Sequence, residues 1–529
     1  MIDIELIKKA IKLTQEKKYS EAENVYKVLL EENPDNPDVL SVLGLFYVNV
    51  LDYDKAIEIL KKAVDLKRTF GTVSALGFAY YEKADYEKAA EILESALELG
   101  ANVDIYNKLI LSLFEIHKYK KAIEFSDKIY ESYPEDVRAI ACKVKALTQS
   151  GKMLEAEKLC VESLKKTPDA SNLWFHLGYL KELIYCNDRQ AKECYKAAAE
   201  LGNPEAFYNI AVSAQKLGEK DEAEKYYKIM LRFFPDNEEA KVSLGMLYLS
   251  QKKFKEGYDL FFQRKLGPSC SVSKNFWKVG DIIQDEVNVI CEQGLGDHIQ
   301  FSRYLPLIPA KKINVATPKP LQEIFRQSFE NVNFINYEEV NPELQAMRIT
   351  DLAYILGIDF DNIPSGEGYL KSQVADIENN KLKVGLCWEA GSAAIRTMIN
   401  RTINIKCFEP LMNLANIQIY SFQVDDTLNG CEQYPQMINL GKDFKNFSDT
   451  AKALKAMDVL VTVDTSVAHL AGALGVKTYL LLPYATDWRW FDDTKTTPWY
   501  DSVEIFKQTD SISWEEPINR IIEKLNYCS

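Results

Sequence analysis

The first half of the chain repeats itself at an almost constant period. A small residue, often inside a Tyr/Phe-x-x-Ala phrase, recurs at Ala22, Ala56, Ala89, Ala122, Ala156, Ala191, Ala223 and Gly257, with successive gaps of 32 to 35 residues. Twelve residues upstream of three of these lies another small residue: Gly44, Gly77 and Gly245. Twelve downstream of four lies a proline: Pro34, Pro134, Pro168 and Pro235. Two antiparallel helices approach closely only where both contact positions are small. Large neighbours such as Leu43, Tyr47, Leu60, Leu76, Tyr80 and Leu93 then fill the flanking grooves. A proline ends the second helix, because it cannot continue one. A unit of this size cannot bury its apolar face alone, so the period demands a stack.

This pattern resembles the tetratricopeptide repeat (TPR), about eight copies of it over residues 1–265. The resemblance implies an α-solenoid that takes a protein or peptide on its concave face. The aromatics Tyr26, Tyr47, Tyr80, Tyr195, Tyr227 and Phe261 sit at helical core spacing and read as packing. O-GlcNAc transferases also carry such repeats and line them with an asparagine ladder. The corresponding inner positions here are Val42, Ala75, Lys108, Cys142, Asn209 and Ser243, so that mode of peptide clamping is not expected.

Composition narrows the partners. The 529 residues hold 64 Lys+Arg against 78 Asp+Glu. The net charge is about −4 over residues 1–265 and about −10 over the rest. Neither half has the basic footprint that a nucleic acid needs. The ten cysteines are scattered without a Cys-x-x-Cys pair, which suits a reducing cytoplasm rather than a disulfide framework or zinc site. No leader-like apolar segment opens the sequence, and no apolar run is long enough for a membrane span.

Beyond the repeats the period shortens. Apolar, β-rich runs appear at 287–291, 313–317, 332–336, 383–388, 417–423, 458–464 and 477–483. Helix-like stretches lie between them at 299–305, 321–329, 408–414, 447–456 and 466–474. Such alternation predicts parallel sheets covered on both faces. The polar stretch 372–380 divides them, giving a linker and first Rossmann-like half over 266–380 and a second over 381–529. Ligands of such sheets sit beyond the carboxyl ends of the strands, which selects three loops.

In the first loop, 291–306, Gly294 and Gly296 allow a sharp turn into a helix. Asp297 reads either as a cap of that helix or as a carboxylate general base. In the second, 463–483, Asp464, Thr465 and Ser466 open a helix whose amides favour an anion. His469 lies one turn later, as a satisfied helix histidine or as a site residue. In the third, 387–405, Gly391, Arg396 and Arg401 follow a strand, where arginine suits a diphosphate or lies on a solvated surface. No metal-binding cluster, nucleophile elbow or P-loop is present. Asp425, Asp426, Asp492 and Asp493 read as solvated loop carboxylates.

The phrases EQGLGDHIQFSRYLP, VGLCW, NRTI, IYSFQ, DVLVTVDTSVAHLAGALGVKTYLLLPYATDWRW and TPWYDSVEIFKQ resemble the catalytic domain of bacterial TPR glycosyltransferases. That domain is similar to the family 9 heptosyltransferases of GT-B fold. The resemblance implies a GT-B pair of Rossmann-type halves and metal-independent, inverting transfer from a nucleotide-sugar, with no cofactor besides that substrate. It places Asp297 as the catalytic base. It makes Gly294, Gly296, Trp388, Arg401, Gln423, Asp464, Thr465, Ser466 and His469 donor-binding, with Gln293, His298 and Gln300 on the acceptor side. Ser466 stands where heptosyltransferases carry glycine. Their phosphate-balancing lysine has no clear match, and Arg401 is the candidate substitute. The function expected is a cytoplasmic protein O-glycosyltransferase whose repeats select an acceptor such as a flagellin or other surface protein. Two alternatives stand beside it: a transferase of envelope glycans or lipopolysaccharide, and a non-catalytic TPR adaptor with a degenerate GT-B part.

Overall fold

The computed structural model describes residues 4–364, 368–390, 401–424, 431–491, 495–509 and 513–527. Gly391, Arg396, Asp425, Asp426, Asp492 and Asp493 lie outside the described residues. The chain divides into two compact units, Met1–Ile210 and Ala211–Ser529. The sequence boundary at 265 marks the end of the helical repeats. Compactness instead groups the last hairpins with the sheets.

Sixteen α-helices, from Ile4–Gln15 to Phe254–Phe261, form eight successive hairpins among the described residues. In the first unit the small residues do what the period required. Ala22, Ala56, Ala89, Ala122, Ala156 and Ala191 are fully buried. A Cβ added to Gly44 or Gly77 would come within 2.4 Å of Leu60 or 2.5 Å of Leu93. The helices start on side-chain caps: Asn36 accepts from the amides of Asp38 and Val39, and Asp52, Asp85, Asn102 and Asp136 act likewise. Pro34, Pro134 and Pro168 follow one residue beyond a C-cap. A second regularity joins neighbouring hairpins. The Glu after the small residue accepts a hydrogen bond from a tyrosine on the following helix, Tyr47 to Glu23 at 3.0 Å and Tyr185 to Glu157 at 2.8 Å.

The second unit holds two sheets. The first orders its strands β3-β2-β1-β4, all parallel: β1 Glu286–Ile290, β2 Lys312–Ala316, β3 Val332–Ile335 and β4 Gln345–Arg348. The second has seven strands: β5 Leu382–Cys387, β6 Ile417–Ser421, β7 Ile438–Asn439, β8 Val459–Val463, β9 Thr478–Leu482, β10 Thr496–Thr497 and β11 Tyr500–Lys507. Their order is β10-β11-β9-β8-β5-β6-β7, parallel except for the β10–β11 pair. With β10 set aside, β7-β6-β5-β8-β9-β11 is the 3-2-1-4-5-6 order of doubly wound sheets. The order of strand addition therefore reverses twice: between β1 and β4, and between β5 and β8. These are the switch points at which such sheets hold ligands.

All seven apolar runs became strands. The sequence pattern missed β4, β7, β10 and β11. β4 reads Gln-Ala-Met-Arg, yet all four residues are buried, because Gln345 and Arg348 find partners far away in sequence. The Gln345 amide oxygen accepts from Gln284 N at 3.2 Å, and Arg348 donates to the carbonyls of Arg264 and Phe262 at 2.9 and 2.6 Å.

Candidate functional site

The two switch points are built from different materials. At the first, the loops after β1 and β4 bring together Glu292, Thr350 and Asp351, and all three are buried. Arg264, three residues beyond the last repeat helix, inserts between them. Its guanidinium donates to Asp351 Oδ1 at 2.6 Å, to Glu292 and Thr350 through short contacts, and to the carbonyl of Phe261 at 3.0 Å. Arg348 closes the other side of Asp351 at 2.5 Å. Burial pushes the Glu292 carboxyl up, with Arg264 opposing. This crevice is filled by the chain's own arginine. Beside it remains a small hollow of about 160 Å³, lined by Arg264, Phe276, Trp277, Arg348 and Asp351.

Glu292 also begins the turn that carries the candidate base. Gln293, exposed, adopts a left-handed backbone (φ 73°), and Gly294 opens the helix Leu295–Phe301. Asp297 Oδ2 accepts from the Gly294 amide at 3.0 Å, so Gly294 and not Asp297 holds the N-cap position, and Asp297 closes the cap from the helix's third residue. Its Oδ1 meets Arg489, which the sequence reading passed over. His298 points inward and bonds the carbonyl of Glu292 at 2.9 Å. Gln300 is fully buried, with both amide atoms lacking a hydrogen-bond partner. His298 therefore braces the turn from beneath, while Gln300 is buried under the helix without bonding the turn.

At the second switch point, Asp464 ends β8 and Thr465 caps the helix Ser466–Ala473 by accepting from the Ala468 amide. Thr465 and Ser466 are partly exposed. Asp464 is buried and pairs with Arg401 at 3.3 Å. Arg401 is thus oriented by a carboxylate, and Asp464 holds a cation rather than seating a phosphate itself. Burial, followed by the nearby charge of Asp487, raises the Asp464 carboxyl.

His469 lies beneath this helix start. Its ring stacks on Trp490 at 4.9 Å and its Nδ1 bonds the Tyr500 hydroxyl at 3.0 Å. Burial, then the positive charge of Arg489, pushes its pKa down to about 3. The imidazole is neutral at physiological pH and supplies no positive charge to a phosphate.

Trp388 and Gln423 also differ from expectation. Trp388 is fully buried in the apolar cluster of Val384, Leu386, Ile403 and Phe408. It packs the core of the second sheet and presents no ring to a ligand. Gln423 is 7 % exposed, and its amide oxygen accepts from Glu389 N at 3.1 Å. It ties the loop after β5 to the loop after β6.

The two candidate loops do meet. A Cβ on Gly296 would lie 2.8 Å from His469 Cδ2 and 3.5 Å from Ser466 Cα. Only glycine lets the helices Leu295–Phe301 and Ser466–Ala473 approach so closely. Arg489 spans the junction. It lies over the Trp488 ring at 4.6 Å, donates to Asp487 Oδ1 at 2.8 Å and reaches Asp297 on the opposite side. Around the junction Asp297, Asp464 and Asp487 face Arg401 and Arg489. The missed signal was the Asp-Trp-Arg-Trp run after β9, a third post-strand loop beside the switch point. Among the described residues no group of three or more His, Cys, Asp or Glu side chains could hold a metal.

A separate hollow lies in the first unit, on the first helices of three successive hairpins. Leu45, Val48, Phe78, Glu82 and Lys108 line a cavity of about 390 Å³. Lys108 pairs with Glu82 at 2.7 Å and lies 4.0 Å over the Tyr81 ring.

The repeat architecture is matched by comparison. Tetratricopeptide-repeat family models match residues 13–65, 75–137 and 205–237, so the N-terminal half carries tetratricopeptide repeats. Among curated proteins, the chain is 22% identical over 458 residues to the protein FlbA of Caulobacter vibrioides, covering 74% of this chain and 73% of that one. Three quarters of the chain exceeds the half occupied by repeats, so that alignment extends into the sheet-bearing part. Among solved structures, a tetratricopeptide repeat protein of Parabacteroides merdae shares 18% identity, covering 46% of this chain and 97% of that one, with a TM-score of 0.41. Yeast Tom70 shares 18%, covering 47% and 54%, with a TM-score of 0.40. No described helix is long and apolar enough to cross a membrane.

Proposed function

We propose that the chain is a TPR-guided glycosyltransferase. The sheet-bearing unit would take a nucleotide-sugar at the β5/β8 switch point, and the repeats would present a protein acceptor. The observation that carries this reading is the junction at Gly296. It brings the carboxylate of Asp297 beside the partly exposed helix start at Thr465–Ser466, so a base and an anion seat share one place. Arg401 and Arg489 bring guanidiniums to it, each paired with aspartate. In the transfer, an acceptor hydroxyl oxygen attacks the anomeric carbon as the bond to the diphosphate oxygen breaks. The hydroxyl proton passes to Asp297, and the nucleoside diphosphate departs. The hollow at Leu45, Phe78 and Lys108 is a candidate seat for an extended acceptor segment.

A second reading is a non-catalytic repeat adaptor. The plugged first crevice and the ion pair on Asp297 favour it. The readings part on one experiment: sugar transfer to cellular proteins, followed by intact-mass spectrometry in a deletion strain complemented with wild type or Asp297→Asn. Loss of a sugar mass with Asp297→Asn, at equal protein level, supports transfer. A sugar mass unchanged in the deletion strain itself supports the adaptor.

A further inference from the structure

We infer that Arg489 is a positioning residue that locks Asp297 and releases it when a diphosphate arrives, so that donor binding itself frees the base. The inference rests on the proposed transferase reading, and its geometry comes from one side chain. Arg489 holds Asp487 with one nitrogen and Asp297 with another, across the seam between the loops after β9 and β1. Its Nε is buried without a hydrogen-bond partner. Its backbone is fixed independently, because Trp499 Nε1 donates to the Arg489 carbonyl. The Trp488 face under the guanidinium gives the head group a surface over which to slide. The anchor is rigid, and the head has a choice of partners.

The charge balance explains why a choice exists. Three carboxylates, Asp297, Asp464 and Asp487, share two guanidiniums, Arg401 and Arg489. A diphosphate entering at Thr465–Ser466 adds further negative charge and competes for the same bidentate donors. Asp487 is bound to Arg489 through its side chain and also caps the Arg489 amide at 3.1 Å, so it keeps its hold. Asp297 sits on a separate element, the helix Leu295–Phe301, and is the partner that can be displaced. Once Arg489 turns to the phosphates, Oδ1 of Asp297 is left as an open acceptor for a hydroxyl proton. Without donor, the base stays occupied.

The lock makes opposite predictions for affinity and turnover. Isothermal titration of UDP, GDP, ADP and CMP into the full chain identifies the nucleotide that binds. For that nucleotide, Asp297→Asn binds about five- to tenfold tighter, because Arg489 loses its competing carboxylate. The same variant loses sugar transfer. Arg489→Gln binds at least about tenfold more weakly, and Arg489→Lys falls between. A merely structural ion pair would lower the melting temperature in both variants and leave affinity unchanged or reduced. Unchanged or weaker nucleotide binding by folded Asp297→Asn overturns the lock, whatever becomes of Arg489→Gln. If wild type binds none of the four nucleotides, the transferase reading fails and the lock with it. If wild type binds and only the variant pattern is wrong, the lock fails alone.

Discussion

The two switch points of the sheet-bearing unit began from the same topology and ended differently. At β1/β4 the loops contribute Glu292, Thr350 and Asp351, and the chain seals them with Arg264. At β5/β8 the loops contribute Asp464, Thr465 and Ser466. There the arginines come from the loops after β5 and β9 and leave the helix start partly exposed. One crevice has become a joint and the other has kept the makings of a site. Topology alone marks both equally. What separates them is whether a cation is delivered by an adjoining helix or by loops that other charges can compete for.

If the first crevice is a joint, Arg264→Ala should be the most damaging single change outside the apolar cores. It strands Glu292 in the interior and leaves Asp351 to Arg348 alone, which costs about 3–5 kcal/mol. Denaturant unfolding of the full chain would show it as a lower midpoint for the sheet-bearing unit. A loss below 1 kcal/mol would mean that the joint is an ordinary surface contact.

Gly296→Ala tests the closeness of the second pair of loops. The added methyl meets His469 at 2.8 Å, an overpacking worth about 1–3 kcal/mol. Nucleotide binding should weaken with it. A neutral outcome would mean that the approach of the two helices is not needed.

A smaller effect separates the two regions by pH. His469 is held neutral by burial and by Arg489, while its unfolded form takes up a proton near its ordinary value of 6.5. Its folded value is depressed, so its contribution is complete above about pH 6.5 and is lost as pH falls towards 3. The slope is about 1.4 kcal/mol per pH unit. Asp464, Asp487, Arg303, Arg401 and Arg489 surround the same ring or act on its charge. The clean comparison is therefore wild type against His469→Gln between pH 6.5 and 5. His469→Gln should flatten the fall in melting temperature. Parallel curves would assign the slope to other groups.

How far these features could be read in the sequence follows from the range of the interactions that make them. The repeats were legible because Ala22, Gly44 and their equivalents act within one hairpin, so the constraint is written at a fixed spacing. The apolar strands were legible because burial on both faces leaves continuous runs. β4 was not, since Gln345 and Arg348 are buried only with the help of Gln284, Phe262 and Arg264. Within the site, the loops of Asp297 and Asp464–Ser466 were found from their glycines and helix-start residues. Trp388 was misplaced because a tryptophan after a strand packs a core as readily as it borders a ligand. Arg489 was missed because its meaning depends on Asp297, almost two hundred residues away.

The contrast between the two switch points can be tested by amide hydrogen exchange of the full chain with and without UDP, GDP, ADP or CMP. Protection by the bound nucleotide is expected at 464–470 and 487–490, with the segment around Thr350 and Asp351 unchanged. Protection centred on 349–351 instead, or a nucleotide bound with no change at 464–470, would mean that the site lies elsewhere and that Arg264 fills a crevice that still opens.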